Sequence, residues 1–271
     1  MKISEFTAFF NKEYRDRPDG AFLASIQSAF VKKIQEHFGG RKPDHMFYAD
    51  DCFVVYRNLG FLRDACFAGA LQEANVDHVM LGRVWRLWVV AWSLRLRWET
   101  AGSVVDFGTY NGKAFEAAIR YCHKTMSARR GSTGGIFAFD LFDNPPDEAR
   151  KADHGAGLFD AVQHRLGDQC GAVVVRGELP NSLREVPVGD VTWAQIDLNS
   201  ASADLSVFQE IFPNLVDGAV VIFDDYGFSR YQDTQAALDR YANARGGSIL
   251  ELPTGQGLYI HKRKKRSEAG V

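Results

Sequence analysis

From Ser103 onward the chain alternates short runs of branched apolar residues with stretches of helical period. The apolar runs predict strands at Ser103–Asp106, Gly135–Asp140, Ala172–Arg176, Thr192–Asp197 and Ala219–Phe223. Between them, a helix is expected over Lys113–Thr125. A second ends near Leu166, with Leu158, Val162 and Leu166 in phase. A third starts near Ser202 or Ala203 and uses Leu205, Phe208 and Phe212, and a fourth covers Thr234–Ala244. Two last strands, Ser248–Leu252 and Gly257–His261, flank the turn Pro253-Thr254-Gly255-Gln256, which suits a hairpin. Strands that alternate with helices imply an α/β fold with a Rossmann-like, doubly wound parallel sheet. Their nearly continuous apolar character agrees, because such strands are buried on both faces.

Upstream the pattern is helical. Asp19 can cap a helix in which Phe22, Ile26, Phe30 and Ile34 recur, with Leu23 and Val31 widening the stripe before Gly39-Gly40. Arg41–Gly60 is irregular and rich in Asp and aromatics, which suits a substrate lid or a connector. A helix is expected over Leu62–Ala74. Another, over Gly82–Trp98, carries Trp85, Trp88, Trp92 and Leu96 on one face, read as core. Arg83 and Arg86 lie one turn apart and either reach an anionic substrate or cofactor carboxylate or stand on the surface. The chain therefore divides into a helical extension or lid (1–80) and a main domain (81–271).

Composition narrows the function classes. A chain of 271 residues that is 46% hydrophobic and 24% charged can bury a sizeable core. A net charge of −2 gives no general reason for nucleic acid or an anionic membrane as partner. The basic run from His261 to Arg266 reads as a solvated tail. The 4 cysteines (Cys52, Cys66, Cys122, Cys170) form no CxxC pair and no zinc spacing, which suits free thiols in a reducing cytosol. The opening residues lack the apolar run of a signal peptide, and Val84–Trp98 is too short and too charged to span a bilayer. A cytoplasmic protein is expected, with a possible homodimer through the first helix and the tryptophan helix.

Chemistry gathers at the strand ends. Asp106, Gly108, Thr109, Tyr110, Asn111 and Gly112 form a strand-to-helix turn where backbone N–H groups and a helix N-terminus meet a ligand. An acid replaces the first glycine of a dinucleotide fingerprint, which disfavours a nicotinamide oxidoreductase. S-adenosylmethionine has no pyrophosphate and carries an ammonium group, so it suits an acid there. Asp140, followed by Leu141 and Phe142, is placed to accept the ribose hydroxyls, with Asp143 a second choice. Gly177 and Glu178 should lie near the adenine. Asp197, Asn199, Asp224 and Asp225 should converge at the carboxyl edge of the sheet. Their carboxylates would raise one another's pKa unless a cation such as Mg²⁺ intervened.

Six segments together resemble the macrocin-type sugar O-methyltransferases, a family of class I S-adenosylmethionine-dependent enzymes. They are Val-Val-Asp-Phe-Gly-Thr-Tyr-Asn-Gly, Phe-Ala-Phe-Asp-Leu-Phe-Asp, Gly-Glu-Leu-Pro-Asn-Ser-Leu, Ile-Asp-Leu-Asn-Ser, the run from Phe212 to Gly227, and Leu-Pro-Thr-Gly-Gln-Gly. The resemblance spans Val104 to Lys262. It implies Mg²⁺-assisted methyl transfer to a hydroxyl of a saccharide or nucleotide-linked sugar, with metal ligands at Asp197, Asp224 and Asp225. Asp197, Asn199 and Asp225 are then the catalytic candidates. Asn199 departs from the family, which commonly has an acid there as the proposed base. An amide does not accept that proton, so another group such as Asp225 or His154 is needed. Otherwise the chain is a metal-independent small-molecule methyltransferase, or a module that binds S-adenosylmethionine or a sugar without catalysis.

Overall fold

The computed structural model describes residues 46–50, 52–55, 57–127, 134–142 and 154–263. The expected helix over 19–34, Asp143 and the basic tail beyond Arg263 lie outside the described residues.

The stretch read as irregular holds an antiparallel hairpin, β1 (Met46–Ala49) and β2 (Cys52–Val55). Its aromatic and β-branched residues favour strands, and Asp50 adopts φ 53° where the chain turns. The expected helix over 62–74 is two pieces, a 3₁₀ turn over Gly60–Arg63 and α1 (Ala65–Glu73). Asp64 separates them because its carboxylate accepts the Phe67 N–H and caps α1. A short α2 (His78–Leu81) leads into α3 (Val84–Arg97).

Then follow β3 (Ser103–Phe107), α4 (Lys113–Thr125), β4 (Ile136–Asp140), α5 (Leu158–Val162) continued by a π-turn over Gln163–Asp168, and β5 (Val173–Arg176). After them come α6 (Asn181–Glu185), β6 (Val191–Ile196), α7 (Ala201–Ile211), β7 (Leu215–Phe223), α8 (Gln232–Asn243), β8 (Ile249–Glu251) and β9 (Gly257–Ile260). Strand β7 starts four positions earlier than the apolar run suggested, since Gly218 at φ 74° carries the chain through the irregular register beside β6.

Seven strands form one sheet in the order β5-β4-β3-β6-β7-β9-β8. The first five are parallel and β9 inserts antiparallel between β7 and β8. The order reverses between β3 and β6, which places a ligand crevice at their carboxyl ends.

Side-chain alternation sorts the core into two layers. Val104, Ala138, Trp193, Val220 and Ile222 pack with α1, α3 and α4. Val105, Phe139, Ala194, Val221 and Phe223 pack with α7 and α8 on the other face. The apolar residues that α3 buries are Val84, Leu87, Val90, Ala91 and Leu94, and of the expected tryptophan face Trp85 and Trp88 pack against the same core while Trp92 does not. Trp88 stacks on Phe61, whereas Trp92 is 44% exposed and Leu96 49%. From α3, Ser93 accepts the Trp193 indole N–H and Arg97 donates to Thr192, so this side of the helix lies against β6. No helix among the described residues is long and apolar enough to cross a membrane. All four cysteines are free thiols.

Candidate functional site

The turn after β3 is forced by close approach. Gly108 has φ 90°, and a Cβ there would lie 1.9 Å from the carbonyl oxygen of Asp197. Only glycine allows the two strand ends at the switch point to touch. Tyr110 (φ 50°) and Gly112 (φ 74°) continue the left-handed path, and Gly112 delivers the chain into α4. Asn111 steadies this entry, because its side-chain oxygen accepts the Lys113 N–H at 3.1 Å.

Asp140 clamps the turn. One carboxylate oxygen accepts the Tyr110 N–H at 2.7 Å and the other accepts the Phe142 N–H at 2.9 Å. Its carbonyl receives the Gly177 N–H at 3.0 Å. The loops after β3, β4 and β5 are thus tied to one aspartate. Around them opens a cleft of about 560 Å³, lined by Gly108, Tyr110, Asp140, Leu141, Gly177 and Glu178 and continuing to Asp197 and Asn199.

Not every expected contact faces that cleft. Asp106 is only 4% exposed and sits beneath the turn, where burial pushes its carboxyl up to about 7 and Asp140 and Asp224 push the same way. Thr109 is buried with its hydroxyl donated to the Asp106 carbonyl. Phe142 is buried, and its contribution is the N–H given to Asp140. Gly112 is buried against Leu166 and Arg165. These four support the turn from below.

The acidic set does converge. Asp197, Asp224 and Asp225 each bring a carboxylate oxygen within 4.8 Å of the others. Burial, then Asp224 and Asp225, drives the Asp197 carboxyl well above its ordinary range. Burial, then Asp224, raises Asp225 as well. Asp225 Oδ2 is buried with no hydrogen-bond partner. A hard divalent cation matches this set of crowded carboxylate oxygens with one unengaged.

The arginine that adjoins the set is the main departure from expectation. Arg86, read as either a ligand-reaching or a surface residue, is 8% exposed and donates from Nη1 to Asp224 Oδ2 at 2.8 Å. Its Nε lies 3.6 Å from Asp50, and its guanidinium covers the Phe228 ring at 4.4 Å. Asp50 accepts the Trp85 and Arg86 N–H groups and so caps α3. Gln256, fully buried, donates to Asp224 Oδ1 at 3.0 Å and is itself held by Thr254. Neither Asp50 nor Gln256 stood out in the sequence. The signal for Gln256 lies in its segment, Leu-Pro-Thr-Gly-Gln-Gly, which by sequence is a hairpin turn and a point of resemblance.

Asn199 has a definite place. With φ 55°, it donates from Nδ2 to Asp197 Oδ1 at 3.0 Å and accepts the Tyr231 hydroxyl at 2.6 Å. Tyr231 was not singled out by sequence. Arg83 is exposed and lines the same cleft, as does His154, whose ring lies 4.9 Å from Tyr110.

Sheet order, terminal antiparallel strand and switch-point cleft define the class I methyltransferase fold. Solved structures share it. The O-methyltransferase NovP superposes with a TM-score of 0.54 at 15% identity, over 66% of this chain and 80% of NovP. The calicheamicin methyltransferase CalS11 gives 0.52 at 16% identity, over 77% of this chain and 95% of CalS11. No protein-family model matches the chain, and no curated protein matches it.

Proposed function

We propose that the chain is an S-adenosylmethionine-dependent O-methyltransferase acting on a hydroxyl of a sugar or glycosylated natural product, with Mg²⁺ assistance. One observation carries the reading: a single cleft joins the Gly108–Asp140 turn to Asp197 and Asn199. That arrangement sets a nucleoside site beside a set of carboxylates. The O-methyltransferase neighbours NovP and CalS11, and the six segments that resemble sugar O-methyltransferases, support the choice.

When bound, S-adenosylmethionine supplies an electrophilic methyl group and Mg²⁺ supplies a Lewis acid for the acceptor oxygen. Asp140 and Glu178 would hold the adenosine, with Leu141 and Gly177 as walls. Gly108, Tyr110 and Asn111 would shape the methionine end, carried by Asp106, Thr109, Gly112 and Phe142. Asp197, Asp224 and Asp225 would hold the cation. Asn199 is not a base in this scheme; Asp225, whose Oδ2 has no hydrogen-bond partner, would take the hydroxyl proton as the methyl group passes to oxygen and S-adenosylhomocysteine leaves. The Asn199 amide, fixed between Asp197 and Tyr231, orients the Asp197 carboxylate. Positioning the acceptor oxygen in line with the methyl group is itself a large part of such catalysis, up to about 7–11 kcal/mol. Residues 81–271 would carry the cofactor and metal ligands, and 1–80 would cover and brace them, with Asp50 capping α3.

The test is transfer of isotope-labelled methyl from S-adenosylmethionine to a panel of nucleotide sugars and glycosides, with and without EDTA. Labelled product that disappears with chelator and returns with Mg²⁺ supports the reading. Transfer indifferent to chelator removes the metal from it. Binding of the cofactor with no transfer to any acceptor favours a non-catalytic module, the reading that Asn199 in place of an acid keeps open.

A further inference from the structure

Around the cofactor turn the positive charges are almost all committed. Lys113 Nζ lies 3.1 Å from Asp77. Arg165 is paired with Glu116 at 2.7 Å. Arg86 is taken by Asp224 and Asp50, and Arg230 donates to the Tyr231 hydroxyl. Arg83 differs. Its guanidinium has no hydrogen bond or ion pair with a described residue, and it lines the cleft that Gly108 and Tyr110 line. Among the described residues of that lining, it alone carries a fixed positive charge.

Its position along the cleft is set by the fold. Gly177 and Glu178 follow β5, at the far edge of the sheet, while Asp140 follows β4 and Gly108 follows β3. Arg83 immediately precedes α3, which packs on α4, β6 and β7. A ligand with its base near Glu178 and its ribose at Asp140 therefore extends its other end toward Arg83. In S-adenosylmethionine that end is an amino acid with one carboxylate. The acids of the cleft, Asp140, Glu178 and Asp197, can serve hydroxyl and cationic groups but repel a carboxylate.

We infer that Arg83 binds the carboxylate of the cofactor's methionine portion and selects donors that possess it. The inference rests on the cofactor reading above. Nothing else in the described site offers that carboxylate an unpaired guanidinium, and a planar fork of N–H donors matches it in geometry. Arg83 is exposed and its backbone bonds do not depend on its side chain, so substitution leaves the fold in place.

Calorimetric titration of wild type, Arg83→Gln and Arg83→Lys with S-adenosylmethionine and with its decarboxylated analogue tests this. Arg83→Gln is expected to lose roughly 10- to 100-fold in affinity for S-adenosylmethionine, the range for a charge-assisted hydrogen bond. Its affinity for the decarboxylated analogue should stay at the wild-type value, and Arg83→Lys should recover part of the loss. Unchanged affinity for both ligands, or equal loss for both, overturns the inference. So does unchanged cofactor affinity with a raised KM for an anionic acceptor, which would assign the guanidinium to the acceptor. Wild-type protein that binds neither ligand overturns the cofactor reading itself, and the inference with it.

Discussion

Arg86 Nη1 donates to Asp224 Oδ2 at 2.8 Å, although 138 residues separate them in the chain. The pair sits at the edge of three clustered carboxylates and is largely shielded from water, with side-chain exposures of 9% and 12%. Removing one partner leaves the other charge buried and alone. Arg86→Met is expected to lower stability by about 3–5 kcal/mol. The double variant Arg86→Met/Asp224→Asn should recover much of that. Urea denaturation of the three proteins measures both effects. Additive losses would show that the two residues act separately.

Gly108→Ala tests the switch point. The added methyl would stand 1.9 Å from the Asp197 carbonyl oxygen at φ 90°, so the turn and the end of β6 must part. Loss of S-adenosylhomocysteine binding is expected, together with a lower Tm. An alanine variant with wild-type affinity would show that this contact does not shape the cofactor site.

Acid should strengthen the metal-free protein at Asp106. Burial lifts its carboxyl from the ordinary 3.8 to about 7 in the fold. The folded state therefore disfavours the ionised form. The stability it contributes is complete below about pH 4 and is lost as pH rises toward 7. Asp50, raised to about 6, and Asp204, raised to about 7, both mainly by burial, push in the same direction. Asp106→Asn should remove part of this slope. Denaturation midpoints at intervals from pH 4 to pH 8 should show wild type losing stability relative to the variant across that window and running parallel above it. A constant difference over the whole range would mean that Asp106 is ionised throughout.

Tyr231→Phe deletes the hydroxyl that Asn199 accepts and frees the amide to turn. If the amide orients Asp197, kcat should fall by about tenfold, the order of one hydrogen bond. The KM for S-adenosylmethionine should hold, since Tyr231 is not part of the cleft lining around the turn. A change in KM alone would move Tyr231 to substrate binding.

The order of strands and helices was legible because each of β3 and β6 is buried along its whole length, which leaves mostly apolar runs interrupted only by Ser103, Asp106, Thr192 and Gln195. Gly108 and Asp140 were legible as the residues that build the turn and line the cleft, because both stand at strand ends beside the point where the strand order reverses. Arg86 was not. Its partner is distant in sequence, and an arginine one turn from Arg83 on a helix looks like its exposed neighbour. Of the three tryptophans read as core, only Trp92 departs from that reading. Trp85, Trp88 and Trp92 share a helical face, but only Trp85 and Trp88 pack against the core, both on Phe61, while Trp92 is exposed. The side chains of α3 bonded to β6 and to the end of β7 are Ser93, Arg97 and Arg86. The β1–β2 hairpin escaped notice because Asp50 looked like a loop acid, and its role as the cap of α3 depends on a contact 35 residues away.

The chain of contacts from Asp50 through Arg86 and Asp224 to Gln256 and Thr254 bears on where this protein can be cut. The pattern of apolar positions suggests a boundary at residue 80, yet the charge next to the acidic cluster is balanced from both sides of it. A fragment that began at residue 81 would leave α3 without its cap, Arg86 without one of its two carboxylates and Trp88 without the Phe61 ring. The segment before the sheet is thus a structural share of the site, and a working minimal version of this protein has to keep the hairpin at its start.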